Sequence, residues 1–197
     1  MPRPLLRVFA TALVLIAYFV TPHLRAQTRG SPERYTALAV NMSGRGAAAA
    51  GTIEIVVNRW STDAERDKLM NVLMDQGAEK LLDVLQSMPR VGYFRSPTSI
   101  GWDLHFARKL PEPEGGERVV IATDRRIGFW EAANRPRSID YPFTVIELRL
   151  NRDGEGEGKI SVATKIIPDK ENNIITLENY DIQPVMLTTV KRERASR

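Results

Sequence analysis

Asp103 and His105 lie two residues apart in the segment WDLHFA, a spacing that puts both side chains on one face of a strand. A carboxylate beside an imidazole is the pairing that orients a general base. The same period gives Ile100, Trp102, Leu104 and Phe106 the opposite face, which as the apolar one is the face to bury. Asp103 and His105 are thereby left on the solvated side. A base also needs a nucleophile and an oxyanion site, and no G-x-S-x-G elbow occurs in the chain. We therefore assign no catalytic residue and expect the chain not to be an enzyme. A carboxylate pair for glycoside chemistry is the remaining enzymatic option, and nothing in the spacing of Asp103 and the glutamates pairs them.

Asp153, Glu155 and Glu157 alternate around glycines, as oxygen ligands do at the start of a calcium loop. The distal bidentate carboxylate of such a loop would fall near Thr164, which cannot supply it. A glycine-rich hairpin turn accounts for the same letters. The chain has no cysteine and only two histidines, one of them (His23) within the first 26 residues, which excludes thiolate and multi-histidine zinc sites. The glycine-rich run GRGAAAAG lacks the lysine and following helix of a phosphate loop. No metal or cofactor is expected.

The most unusual stretch is Asp124–Tyr141 (DRRIGFWEAANRPRSIDY). Arg125, Arg126, Arg135 and Arg137 are interleaved there with Phe129, Trp130 and Tyr141, with no strand or sustained helix pattern. Long irregular loops in compact domains are uncommon and often functional. Arginine with aromatics is also the composition enriched at interface hot spots. These seven residues form the candidate binding loop. Its structural alternative is a crossover whose Phe129 and Trp130 plug an open end of the sheet. Arg90, Tyr93 and Arg95 make a smaller group that could grip an anion.

The elements that must position these residues read as follows. Tyr35–Met42 and Thr52–Trp60 alternate as strands around the glycine-rich loop Ser43–Gly51. Thr62 and Glu65 form a capping box, and an apolar stripe from Leu69 to Met88 runs at helical spacing, interrupted by Gly77 and stopped by Pro89. That predicts one bent helix, or two over 62–75 and 77–87. Period two returns in Val91–Arg95, Ile100–Ala107, Val119–Thr123, Phe143–Leu150, Lys159–Ile167, Ile174–Asn179 and Gln183–Lys191. Phe143 and Val145 are out of phase with Ile146, Leu148 and Leu150, which predicts a bulge near Val145. Short turns between strands make antiparallel meanders. The fold class is α+β: an antiparallel meander sheet of eight or nine strands, strongly curved or barrel-like. It is packed on one bent helix or helix pair inserted after the second strand.

The N-terminus has the three parts of a secretory signal: Arg3 and Arg7, the apolar run Val8–Val20, and a small residue at Ala26. That run is shorter than the roughly 20 residues a spanning helix needs. A membrane contact is expected only if residues 8–20 stay attached as an anchor. Residues 1–26 thus read as a signal peptide, 27–34 as a disordered leader, 35–190 as a single domain and 191–197 as a basic tail. Loss of Arg3, Arg7 and Arg25 takes the net charge from +4 to +1, and since the tail alone carries +3, residues 27–190 are slightly acidic. The body has no concentrated positive footprint, so nucleic acid is excluded as a partner. What remains is an exported, periplasmic or secreted, non-enzymatic domain that binds a small apolar ligand or a protein partner. The alternative is a structural or envelope-interaction protein acting through the 124–141 loop and the tail.

Overall fold

The computed structural model describes residues 32–40, 50–113, 115–125, 129–169, 171, 174–180 and 183–193, and of Phe129, Trp130, Glu131 and Ile174 the backbone alone. Alternating apolar residues build β1 (Glu33–Val40) and β2 (Ala50–Val57), and a helix pair follows, α1 (Asp63–Gln76) and α2 (Ala78–Ser87). Next come β3 (Gly92–Arg95), β4 (Trp102–Leu104), β5 (Phe106–Pro111) and β6 (Glu117–Asp124). A short α3 (Phe129–Asn134) and a 3-10 turn (Pro136–Asp140) lead to β7 (Phe143–Leu150), β8 (Glu155–Asp169), β9 (Ile174–Asn179) and β10 (Val185–Glu193). The fold is α+β with an antiparallel sheet, as the patterning predicts.

All ten strands belong to one sheet, ordered β4-β3-β2-β1-β10-β8-β7-β6-β5, with β9 paired to the distal half of β8. The ladder is open, since β4 and β5 end it and are not hydrogen-bonded neighbours. The count exceeds eight or nine because the strand expected over Ile100–Ala107 is divided at His105. Residues before the division pair with β3 and residues after it with β6. The division also changes which side chains face inward. Leu104 and Ala107 are fully buried in one cluster, whereas Phe106 packs against the other and Ile100 is fully exposed. The single apolar face expected for Ile100, Trp102, Leu104 and Phe106 is thus corrected: a bend at His105 shifts the alternation by one residue.

The helix signals act as read. Thr62 Oγ1 accepts from the Glu65 N–H, and the Glu65 carboxylate accepts from the Thr62 N–H, so both bonds of the capping box form. Gly77 sits at φ +87°, in the left-handed region that glycine adopts without a Cβ penalty, and it separates α1 from α2. In β7 and β8 the register shifts between Phe143 and Val145, with the extra residue in β8. Regular alternation along β7 puts Phe143 on one apolar cluster and Ile146, Leu148 and Leu150 on the other.

Those two clusters define the layers. The larger one is built from strand residues such as Ile55, Leu104, Ile121, Leu148 and Leu187, all fully buried. The smaller one joins Leu69, Leu73, Leu81 and Leu85 of the helices to Phe143 and Ile166 on the opposite sheet face. Among the described residues no helix side chain belongs to the larger cluster. The strands bury their main face against one another, and α1 and α2 cover part of the second face. Side chains also meet across the ladder. Lys109 Nζ of β5 lies 2.7 Å from Glu33 of β1, and Arg192 of β10 bonds Glu117 of β6.

The segments read as leader and tail contribute to the sheet. Glu33 and Arg34 open β1, and Lys191 to Glu193 extend β10, where they pair with Thr36, Tyr35 and Arg34.

Candidate functional site

Laying two short helices on a broad sheet leaves a cleft of about 390 Å³ between them. Leu69, Met70 and Leu73 of α1 and Leu81 and Leu85 of α2 form its roof. Its floor is Phe106, Val120, Ala122 and Val145 on the second sheet face. The β8–β9 hairpin closes one side with Ile166, Ile175 and Leu177, of which Ile175 and Leu177 are exposed. The size falls within the roughly 300–1,000 Å³ of small-molecule pockets, and apolar walls with a few polar groups are their usual lining.

Arg66, Arg118 and Glu147 are the polar groups of the cleft. Glu147 accepts from Arg149 Nε at 3.2 Å and lies 3.4 Å from Lys159 Nζ. Burial alone would raise its pKa, but these two cations outweigh that and hold the carboxyl below its usual range. Arg66 pairs with its neighbour Asp67 at 2.6 Å. Arg118 Nε is buried without a hydrogen-bond partner, and Glu112 Oε1 is 3.9 Å from it. A broader depression beside Asn151–Glu157 is walled by charged side chains and backbone, and has no comparable apolar lining.

His105 does not pair with Asp103. The bend between β4 and β5 turns the imidazole toward α2, where Nδ1 is 3.1 Å from the Met88 carbonyl oxygen. That acceptor requires the proton on Nδ1, as the hydrogen-bond partner assigns it. Nε2 lies 3.9 Å from Asp124 Oδ1. The His105 side chain is 17% exposed, so it is largely covered rather than solvated. Asp103 is engaged by Arg90 at 3.0 Å instead, and the Thr123 hydroxyl donates to the Asp103 carbonyl. No hydroxyl bonds the His105 ring among the described residues.

The calcium-like run is a turn. Asn151 Oδ1 accepts from the N–H groups of Asp153 and Glu155, Gly154 sits at φ +82°, and Glu155 pairs with Lys191. Gly156 is needed where β7 passes close by: a Cβ there would lie 1.9 Å from the Arg149 carbonyl oxygen.

The candidate loop is divided by the structure. Arg125 donates from Nε to the Tyr141 carbonyl and from Nη2 to the Ser138 carbonyl, so it clamps the two ends of the segment together. The Tyr141 hydroxyl donates to Glu178 of β9, and its ring packs 5.1 Å from Tyr180. That bond with Glu178 raises the tyrosine pKa. Arg135 and Arg137 are exposed. Phe129 and Trp130 lie on α3, their side chains outside the described residues, as is Arg126 altogether. The segment contains helical turns where the pattern suggested none, because six residues are too few to show a period. Arg90 and Arg95 flank the Tyr93 ring at 5.4 Å each, and Arg95 is bound to Glu54. That group is a surface network.

Two features escape the sequence reading. The cleft needs the helix pair to be placed on the second sheet face, and its signal was Val119–Ala122 (VVIA), an apolar run that marks a strand covered on both sides. A polar cluster at one end of the larger core unites Glu33, Tyr35, Lys109, Glu117 and Arg192 from four strands. Only tertiary placement brings these together. Comparison with protein-family models, with curated proteins and with solved structures finds no match.

Proposed function

We propose that this chain is an exported, non-enzymatic binding protein that takes an apolar small molecule into the cleft between the helix pair and the sheet. The cleft itself carries the reading: it is the described site that combines adequate volume, apolar walls and a few polar groups. Export rests on the basic, apolar and small-residue parts of residues 1–26. The sheet is strongly curved and barrel-like in this reading, with the helix pair as an insertion against its outer face. Support for the curvature comes from the ladder ends β4 and β5, separated only by His105, and from the Lys109–Glu33 and Arg192–Glu117 bridges.

The test is a titration of the purified protein with N-phenyl-1-naphthylamine, a neutral fluorophore that brightens in apolar surroundings. The wild type is expected to bind it saturably. Ala122→Phe puts a ring on the cleft floor and is expected to weaken binding at least about tenfold with circular dichroism unchanged, the order expected for steric loss of about 1.4 kcal/mol of contact. No saturable signal in the wild type, or undiminished binding by a folded Ala122→Phe, removes the reading.

A second reading has one specific observation behind it. Ile139 is 48% exposed beside exposed Arg135 and Arg137, a mixed apolar and cationic surface of the kind that contacts a protein or an anionic envelope component. Charge reversal at Arg135 and Arg137 would abolish that contact and leave fluorophore binding intact.

A further inference from the structure

The charges around the cleft do not balance, and the imbalance names a ligand class. Among the described residues Glu147 is the one acidic side chain that lines it, and Arg149 and Lys159 already hold that carboxylate. Arg118 is left with a buried Nε that bonds nothing and with a carboxylate oxygen of Glu112 beyond hydrogen-bond distance. The side chain as a whole is 40% exposed, so its guanidinium spans the boundary between the apolar interior and water. In the β6–β7 ladder Arg118 stands directly opposite Arg149, and like charges in that register repel. Arg66 reaches the same cleft from α1 and pairs with the adjacent Asp67, both partners being about half exposed. An unfilled donor, a cross-strand pair of arginines and a third arginine from the roof all favour an anion at this point. The walls away from them are aliphatic and aromatic.

We propose, resting on the binding reading above, that the ligand is a long-chain carboxylate whose chain lies among Leu73, Leu85, Phe106 and Ile166 and whose head group is held by Arg118, with Arg66 beside it. Arginine suits this role because its planar fork matches a carboxylate with two parallel bonds. Filling the Arg118 Nε removes an unsatisfied buried donor, and the head group screens Arg118 from Arg149. A neutral apolar ligand would leave both defects in place.

The experiment displaces N-phenyl-1-naphthylamine from the full chain with dodecanoate or with dodecan-1-ol, which share one chain and differ in the head. Dodecanoate is expected to bind about tenfold or more tighter than the alcohol, the scale of one charge-assisted bond in a partly buried site. Arg118→Gln is expected to erase most of that preference while leaving the alcohol unchanged. Arg118→Lys should recover only part of it, since the charge returns without the fork. Should Arg118→Gln unfold, Arg66→Gln on the exposed face of α1 provides a second reading of the same preference, with a smaller loss. Equal affinities for acid and alcohol, or equal weakening of both by Arg118→Gln, overturns the proposal while the binding reading survives on the fluorophore and the alcohol. Absence of binding by fluorophore, alcohol and acid alike overturns both.

Discussion

Leu148 and Leu69 are both buried leucines, yet they belong to layers finished in different ways. Leu148 is fully enclosed by other strand residues, in a cluster whose members come from nearly every strand of the sheet. Leu69 is 8% exposed under a two-helix roof, and beside it the packing stops short and leaves a cleft of about 390 Å³. A close-packed interior leaves little space larger than a water molecule. The cleft departs from that standard in the helical layer. In the proposed reading, stability and binding capacity fall to different faces of one sheet, so that a ligand enters the second without disturbing the first.

The largest effect that would test this division is a matched truncation. Leu148→Ala opens a cavity that its neighbours cannot fill, and we expect a cost of about 3–5 kcal/mol. Leu69→Ala enlarges a space already open to solvent, so the cavity term shrinks and the cost should be nearer about 2 kcal/mol. Urea denaturation of both variants measures the difference. Equal losses would mean that the helical layer is as tightly sealed as the strand layer.

The two layers should also fail at opposite ends of the pH scale. Near the helices, Glu65 accepts from Arg59 through both oxygens at 2.9 and 3.0 Å, and Asp63 is bound to Arg108 at 2.7 Å. Arg59 is the main cause that holds the Glu65 carboxyl below its usual range, aided by the Thr62 N–H and opposed by burial; for Asp63 the main cause is Arg108. A carboxyl whose folded pKa is depressed stabilises fully above its unfolded value of about 4.3 and loses that contribution as pH falls through the folded value. In the strand layer burial, and then Glu33, push the Tyr35 phenol upward. A raised phenol stabilises below its unfolded value of about 10 and loses the contribution as pH rises toward the folded value. Acid should therefore loosen α1 first, and alkali should strain the strand core. Thr62→Ala tests the acid side: it breaks the capping box, costs about 1 kcal/mol at neutral pH, and in combination with Glu65→Gln flattens the acid limb. A steep acid limb that persists in the double variant would place the sensitivity elsewhere.

Local signals were legible wherever one side chain decides the outcome. Thr62, Glu65 and Gly77 set the helix start and the break between α1 and α2 through bonds and φ values that depend on near neighbours. Phe143 and Val145 lie out of phase with Ile146, Leu148 and Leu150 because β7 is covered on both faces, and the register shift beside them comes from an extra residue in β8. The bend at His105 was hidden, since WDLHFA alternates without interruption and the change of partner from β3 to β6 depends on distant strands. The cleft was hidden for the same reason. Its floor and roof each carry a visible apolar pattern, but that they face each other with a gap is a matter of how far two helices reach across a wide sheet. Arg125 and Arg135 show the limit of composition: both are loop arginines, yet one clamps carbonyls and the other faces solvent.

The smallest expected effect bears on the side wall of the cleft. The β8–β9 hairpin stands beyond the main ladder, with β9 paired only to β8. Its Ile175 and Leu177 must move together if a ligand enters past them. The Tyr141 hydroxyl donates to Glu178 on that strand, and so ties the 124–141 segment to the hairpin from outside the cleft. Tyr141→Phe keeps the ring beside Tyr180 and removes only the bond. Because this bond is at the surface, we expect global stability to change little. Local opening is the more sensitive readout, since it can be far less costly than global unfolding. Amide hydrogen exchange over Ile174–Asn179 should accelerate in Tyr141→Phe while β1 and β7 keep their protection. Acceleration in all three strands together would mean that the hairpin and the strand core open as one unit, and the two layers would then no longer be separable in the way the leucine pair suggests.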